Sequence, residues 1–326
     1  MNLSIRMLAC TLFAVCVSTA NAQTYPDKPV RMIVSIAAGS VTDVIMRAAA
    51  KEVEKKLGQP LVIENRGGAA GILGGQACAQ SPGDGYTLCV IYHSTMSYNP
   101  VMFDKLPYNP DTDLIPVTRL FLLIEGIFVN ADLPAKTVAE LKALAQSKPE
   151  ALNYATLGNG SFPDLFRVWL NNQWGTKIVG VPYKGGGPAA QALASNEVQL
   201  TRFGIGNFRG VMDAGKVRAL AVTSERRSPL LPNVPTFKEA GLDYPGQGWW
   251  GLAVPKGTPA PIVDKIHATF VAVFSDPKFI GYLDQQSVVA ATTSPAEFIA
   301  FLKADRKAAE DLVKIANTPK TEYRPQ

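Results

Sequence analysis

The chain is short of the side chains that carry chemistry. Among its 326 residues are two histidines and four cysteines, and no grouping of His, Cys, Asp and Glu has the spacing of a metal site. There is no G-x-S-x-G elbow to expose a nucleophilic serine. The first glycine-containing turn after a strand, Ala37-Ala38-Gly39-Ser40, has neither the G-x-G-x-x-G form of a dinucleotide site nor the G-K-[ST] form of a phosphate loop. Lysine plus arginine exceeds aspartate plus glutamate by five, with the excess scattered, so no basic stripe tracks a nucleic-acid backbone. These absences argue against an enzyme, against a metal or cofactor, and against nucleic acid as a partner. A mild positive surplus suits a small anionic ligand.

The first residues have a different character. Arg6 precedes an apolar run from Met7 to Val17, and Ala20-Asn21-Ala22 follows. A charged start, a short apolar core and an Ala-x-Ala exit predict a secretory signal over 1–22, cleaved after Ala22. The run is roughly half the ~20 residues that a membrane-spanning helix needs. Cys10 and Cys16 lie in this segment but fit a lipoprotein site poorly, so a soluble periplasmic protein is expected. About 300 residues remain, a comfortable length for two domains. They retain Cys78 and Cys89, for which a disulfide and two buried thiols are equally compatible readings.

Val30 to Ser35 reads as a β-branched strand, and a helix is predicted from Thr42 to Leu57 with Val44, Ile45, Ala48, Ala49 and Val53 on one face. Strands are predicted at 61–64, 86–91, 152–155, 177–181, 198–203 and 217–222. Helices are predicted at 69–80, 137–146, 161–174, 187–194, 259–274, 277–284 and 295–315. The alternation implies an α/β protein of two lobes with mixed, mainly parallel sheets. His93 follows a strand, where such folds place ligands, whereas His267 falls within a helix. Ser40-Val41-Thr42-Asp43 and Leu157-Gly158-Asn159-Gly160-Ser161 each open a helix after a glycine, so unpaired backbone N–H groups should point from both starts toward an anion.

Several ordered blocks together resemble the Bug family, the periplasmic receptors of tripartite tricarboxylate transporters. They include Gly58-Gln59-Pro60, Gly83-Asp84-Gly85-Tyr86-Thr87-Leu88, Gly158-Asn159-Gly160-Ser161, Val181-Pro182-Tyr183-Lys184-Gly185 and Gly215-Lys216-Val217-Arg218-Ala219-Leu220-Ala221-Val222-Thr223. The resemblance implies a type II periplasmic binding fold, a flytrap that closes on a carboxylate and delivers it as a monomer to membrane permease subunits. The same closed form could alternatively be presented to a membrane sensor kinase. The implied division is 23–124 plus 250–326 for one domain and 125–249 for the other.

Carried onto this chain, the first ligand loop gives Ala38, Gly39, Ser40, Thr42 and Asp43. The second-lobe loop gives Asn159 and Ser161 beside Phe162, and a third wall gives His93, Ser94 and Thr95. Asp164 stands where the family often has His, and Phe203 where many members have Asp. Phe203, with Arg202 and Arg209 nearby, suggests a dicarboxylate with an apolar body, such as terephthalate, with Phe162, Phe203 or Trp249 against its ring.

Overall fold

The computed structural model describes residues 25–148, 151–228, 230–244, 246–316 and 319–323. The expected signal segment, 1–22, lies outside them. β1 (Val30–Val34), α1 (Val41–Leu57), β2 (Leu61–Asn65), α2 (Ile72–Ala79) and β3 (Thr87–Tyr92) follow one another as three parallel strands with crossover helices. A π-helical turn at Ser94–Tyr98 and α3 (Asn99–Met102) lead to β4 (Leu114–Leu123). Ile124 alone separates it from β5 (Glu125–Asn130), where the chain enters a second sheet.

That sheet is built with α4 (Val138–Ser147), β6 (Asn153–Thr156), α5 (Phe162–Trp174), β7 (Val179–Pro182), α6 (Gly186–Ala194), β8 (Leu200–Gly204), α7 (Arg209–Asp213) and β9 (Val217–Val222). The chain then returns through β10 (Trp249–Pro255), α8 (Ala260–Phe274), α9 (Pro277–Gln285), β11 (Val288–Ala290) and α10 (Pro295–Ile315). The strand orders are β11-β4-β10-β3-β1-β2 and β7-β6-β8-β5-β9. No helix of the described residues is long and apolar enough to cross a membrane.

Period-two alternation explains how the first sheet is covered. Met32 and Val34 enter the core that contains Ile45, Ala49 and Val53 of α1, whereas Ile33 enters one with Cys78 of α2 and Phe298 of α10. A strand buried on both faces reads as an unbroken apolar run. This is why β5 and β10 escape prediction: every residue of both is buried, and such a run shows no period. The partly buried β4 and the three-residue edge strand β11, with Val289 exposed, also go unpredicted.

These strands make the sheets mixed, as expected, while β1, β2, β3 and β4 in the first and β6, β7, β8 and β9 in the second share one direction. In the first sheet β10 runs against both β3 and β4, and β11 runs against β4. In the second, β5 runs against β8 and β9. The reversed interior strands, β5 and β10, are the ones that arrive from the other sheet, so each enters against the local direction.

Two local details differ from expectation. Val44 is exposed, and Met46 and Ala50 are buried on α1 instead. The helix expected from Ala69 begins as a 3-10 turn with Ala69 and Ala70 at positive φ. Its Ala70 N–H donates to Leu157 O of the other lobe at 2.9 Å, an acceptor that a regular helical start would not reach.

Cys78 and Cys89 form a disulfide that ties α2 to β3 inside the third core cluster. Replacing both by alanine should lower unfolding stability by about 2–4 kcal/mol, through a less constrained unfolded chain and lost core packing. A urea titration checks this, and an unchanged midpoint would show that the cross-link contributes nothing.

Candidate functional site: the interlobe cleft

The two helix starts that bracket the cleft are built alike. Gly39-Ser40-Val41-Thr42-Asp43 and Gly160-Ser161-Phe162-Pro163-Asp164 share the pattern Gly-Ser-x-x-Asp. Each glycine sits at positive φ, +78° and +74°, where a β-carbon would be strained. Each serine is the extended N-cap residue of its helix. Each aspartate accepts the N–H of its glycine, at 2.9 Å for Asp43 and 3.0 Å for Asp164. Arg47 and Arg167, about one turn further on, hold the two carboxylates.

Asp43 also accepts from Asn65. Burial alone would raise its pKa, but Arg47, the Gly39 N–H and Asn65 outweigh that and hold it below the ordinary carboxylate value. Asp43 therefore braces the loop, with both oxygens engaged within its own lobe. Sequence reading found no repeat and so passed over this five-residue one, which marks the scaffold of the two loops.

Between the loops lies a cavity of about 30 Å³. Ser40, Thr42 and His93 line the cavity from one lobe, and Glu125, Phe203 and Asn207 from the other. Tyr92, Leu123 and Trp250 add apolar wall.

His93 is the most informative of these groups. Its Nδ1 accepts the Trp249 N–H at 3.4 Å, so the neutral ring carries its proton on Nε2. That nitrogen is buried and has no hydrogen-bond partner among the described residues. Burial, aided by the positive charge of Arg202, depresses the pKa of His93 to about 3. Ser40 Oγ is likewise buried and unpartnered.

The remaining expected residues are dispersed. Ser94 and Ser161 are buried. Ser161 Oγ donates to Gly158 O at 2.6 Å and so closes its own loop. Thr95 Oγ1 accepts from Tyr92 N and donates to Tyr92 O, which shapes the turn after β3. Phe162 lies between the His93 ring, 4.4 Å away, and the Arg202 guanidinium, 4.5 Å away. Ala38, Gly39 and Asn159 are exposed at the loop tips, and Ala38 borders an outer groove. Trp249 packs in the first lobe's core, with its Nε1 donating to Asp305.

The two arginines do not meet in the cavity. Arg209 is half exposed and donates to Gln285 O at 3.2 Å. Arg202 is fully buried, ion-paired to Glu125 at 2.6 Å, and enclosed by the rings of Phe162, Phe166, Phe237 and Tyr244. Removing one partner of such a pair typically costs about 3–5 kcal/mol, because the other charge is left buried. Sequence reading passed over Glu125, Asn207, Tyr92 and Trp250. A lone acid inside the apolar run Leu120 to Val129 was the available signal for Glu125. For Asn207 there was none.

Each helix start is also met by the opposite lobe. The Val41 N–H at the head of α1 donates to Asn207 Oδ1 at 2.8 Å, and the Phe162 N–H at the head of α5 reaches Ser94 Oγ at 3.5 Å. Ala37 N to Lys184 O, at 3.1 Å, adds another contact between the lobes.

Two mixed sheets joined by crossing strands, with paired helix starts facing one buried cleft, define a two-lobed periplasmic binding protein. The chain belongs to the tripartite tricarboxylate transporter receptor family, TctC, whose model matches residues 45–317. This is a family of solute receptors, not enzymes, that work with transporter permease components. The chain is 34% identical to the protein BugT of Bordetella pertussis over 74% of this chain and 75% of that one. Among solved structures it is similar to MatC from Rhodopseudomonas palustris with bound malate, at 32% identity and a TM-score of 0.83, covering 89% of this chain and 100% of that one. R. palustris Rpa4515 with adipate is similar at 29% identity and a TM-score of 0.87, covering 91% and 100%.

Two measurements follow from this geometry. Asn207→Ala should speed hydrogen exchange at the Val41 amide while leaving mid-helix Ala50 unaffected; equal rates in both proteins would remove Asn207 as the acceptor. For His93, the folded pKa lies below the unfolded value, so the unfolded chain binds the extra proton. Its stabilising contribution is complete above about pH 6.5 and is lost as the pH falls toward about 3. Thermal melts between about pH 4 and 7 should decline more steeply for wild type than for His93→Gln, and parallel curves would contradict the assignment.

Proposed function

We propose that the protein holds a dicarboxylate in the interlobe cavity and presents the closed form to the permease of a tripartite transporter. The observation that supports this most directly is His93. Its neutral, buried Nε2–H is an unpartnered donor beside Ser40 at the start of α1. One helix start stabilises an anion by only ~0.3–2 kcal/mol, and micromolar binding needs about 8 kcal/mol. Donors from both loops and from His93 must therefore act together, which matches a ligand with a carboxylate at each end. Malate and adipate, carried by the two related proteins, are both dicarboxylates.

On this reading Ser40, Thr42, His93 and Phe203 contact the ligand, and the loop-braced Asp43 and outlying Arg209 do not. The rings of Tyr92, Phe203 and Trp250 favour an apolar body. Terephthalate keeps that aromatic support but loses the support of the arginines, since Arg202 is neutralised by Glu125. The lobes are taken to divide near 124/125 and 249/250, with the signal removed after Ala22 before the receptor works in the periplasm.

A thermal-shift screen of mono-, di- and tricarboxylates tests the reading, because a ligand that binds only the folded form raises the midpoint by mass action. Dicarboxylates should raise it, and His93→Ala should reduce the shift sharply. A screen in which no carboxylate raises the midpoint would overturn the reading.

A further inference from the structure

Glu125 is the one charged side chain lining the cavity among the described residues. A site that gathers N–H donors for carboxylates gains nothing from an added negative charge unless that charge accepts something from the ligand. We infer that Glu125 is a specificity-determining residue, and that the ligand is a carboxylate whose carbon body bears a hydrogen-bond donor, a hydroxyl or ammonium group. This rests on the carboxylate-receptor reading above.

Three features support it. Glu125 is only 3% exposed and borders the same cavity as Ser40 and His93. Its Oε2 is ion-paired with Arg202 at 2.6 Å; burial raises its pKa above the ordinary carboxylate value, and Arg202 opposes that push. Finally, Gly248 leaves room for the carboxylate, since a β-carbon there would lie 2.8 Å from Glu125 Oε1.

Arg202 acts here as a positioning residue. Four aromatic rings surround its guanidinium, and Gly246 O accepts from its Nη2 at 3.3 Å. It does not line the cavity, so what borders the ligand is its partner's carboxylate. A ligand hydroxyl or ammonium group would give Glu125 a charge-assisted hydrogen bond. A ligand lacking the donor would add no partner to that carboxylate beyond Arg202, and a bare second carboxylate placed there would be repelled by it.

Calorimetric titration with matched ligands tests this on the full mature chain: succinate, its 2-hydroxy form and its 2-amino form, with terephthalate as a donor-free diacid. Wild type should prefer a donor-bearing member over succinate by about tenfold or more. In Glu125→Gln combined with Arg202→Met, which removes both charges at similar volume, that preference should collapse while succinate still binds. Equal or tighter wild-type binding of succinate or terephthalate would overturn the inference yet uphold the receptor reading. A preference that survives in the folded double variant would do the same. Failure of all four ligands, and of the wider carboxylate screen, would overturn the receptor reading itself. The wild-type comparison stands whether or not the variant folds.

Discussion

The architecture depends on a single constraint: the first backbone N–H groups of a helix have no partner within the helix and must find acceptors elsewhere. Here two such helix starts, from opposite lobes, are brought to one buried cleft. Asn207 accepts from the head of α1 and Ser94 from the head of α5, each across the divide. The lobes thus meet by satisfying each other's exposed donors. A carboxylate, with its oxygens able to accept several N–H bonds, is the chemistry that could take over these roles. On the proposed reading, closure and anion binding would compete for the same helix-start donors.

The loops can do this because they are held rigid from behind. Asp43 with Arg47, and Asp164 with Arg167, tie each Gly-Ser turn to its own helix. Residues of the binding loop are thereby divided between bracing and contact. At the start of the second-lobe helix, Phe162 packs against both the imidazole of His93 and the guanidinium of Arg202. The Glu125–Arg202 pair sits where the chain crosses between sheets, immediately after Ile124. If Glu125 sets ligand preference as inferred, it does so from the segment that joins the two sheets.

Much of the fold was legible in the sequence. α10 and β9 were delimited as found, and most strand–helix units of both lobes were placed to within a residue or two, because one-sided burial imposes period on a helix and turn residues bound it. The crossing strands were not legible, since full burial on both faces erases alternation. For the site, helix-start chemistry pointed to the loops around Ser40 and Ser161, and the end of a strand pointed to His93; Ser40 and His93 line one cavity. Neither signal could tell which polar groups would face the cavity. Asp43 and Thr95 are used up by local hydrogen bonds, and Arg202 is captured by Glu125, a residue far away in sequence and joined to it only by the pairing of β5 with β8.

The central claim is that a neutral His93, with its proton on Nε2, donates to a bound carboxylate. Nitrogen-15 NMR of the imidazole, recorded while a dicarboxylate is added, tests it most directly. The account predicts a ring in which only Nε2 is protonated, with the Nε2–H resonance moving downfield and becoming protected from solvent exchange as ligand binds. A ring protonated on Nδ1, or an Nε2–H signal that ignores a ligand shown to bind, would contradict it.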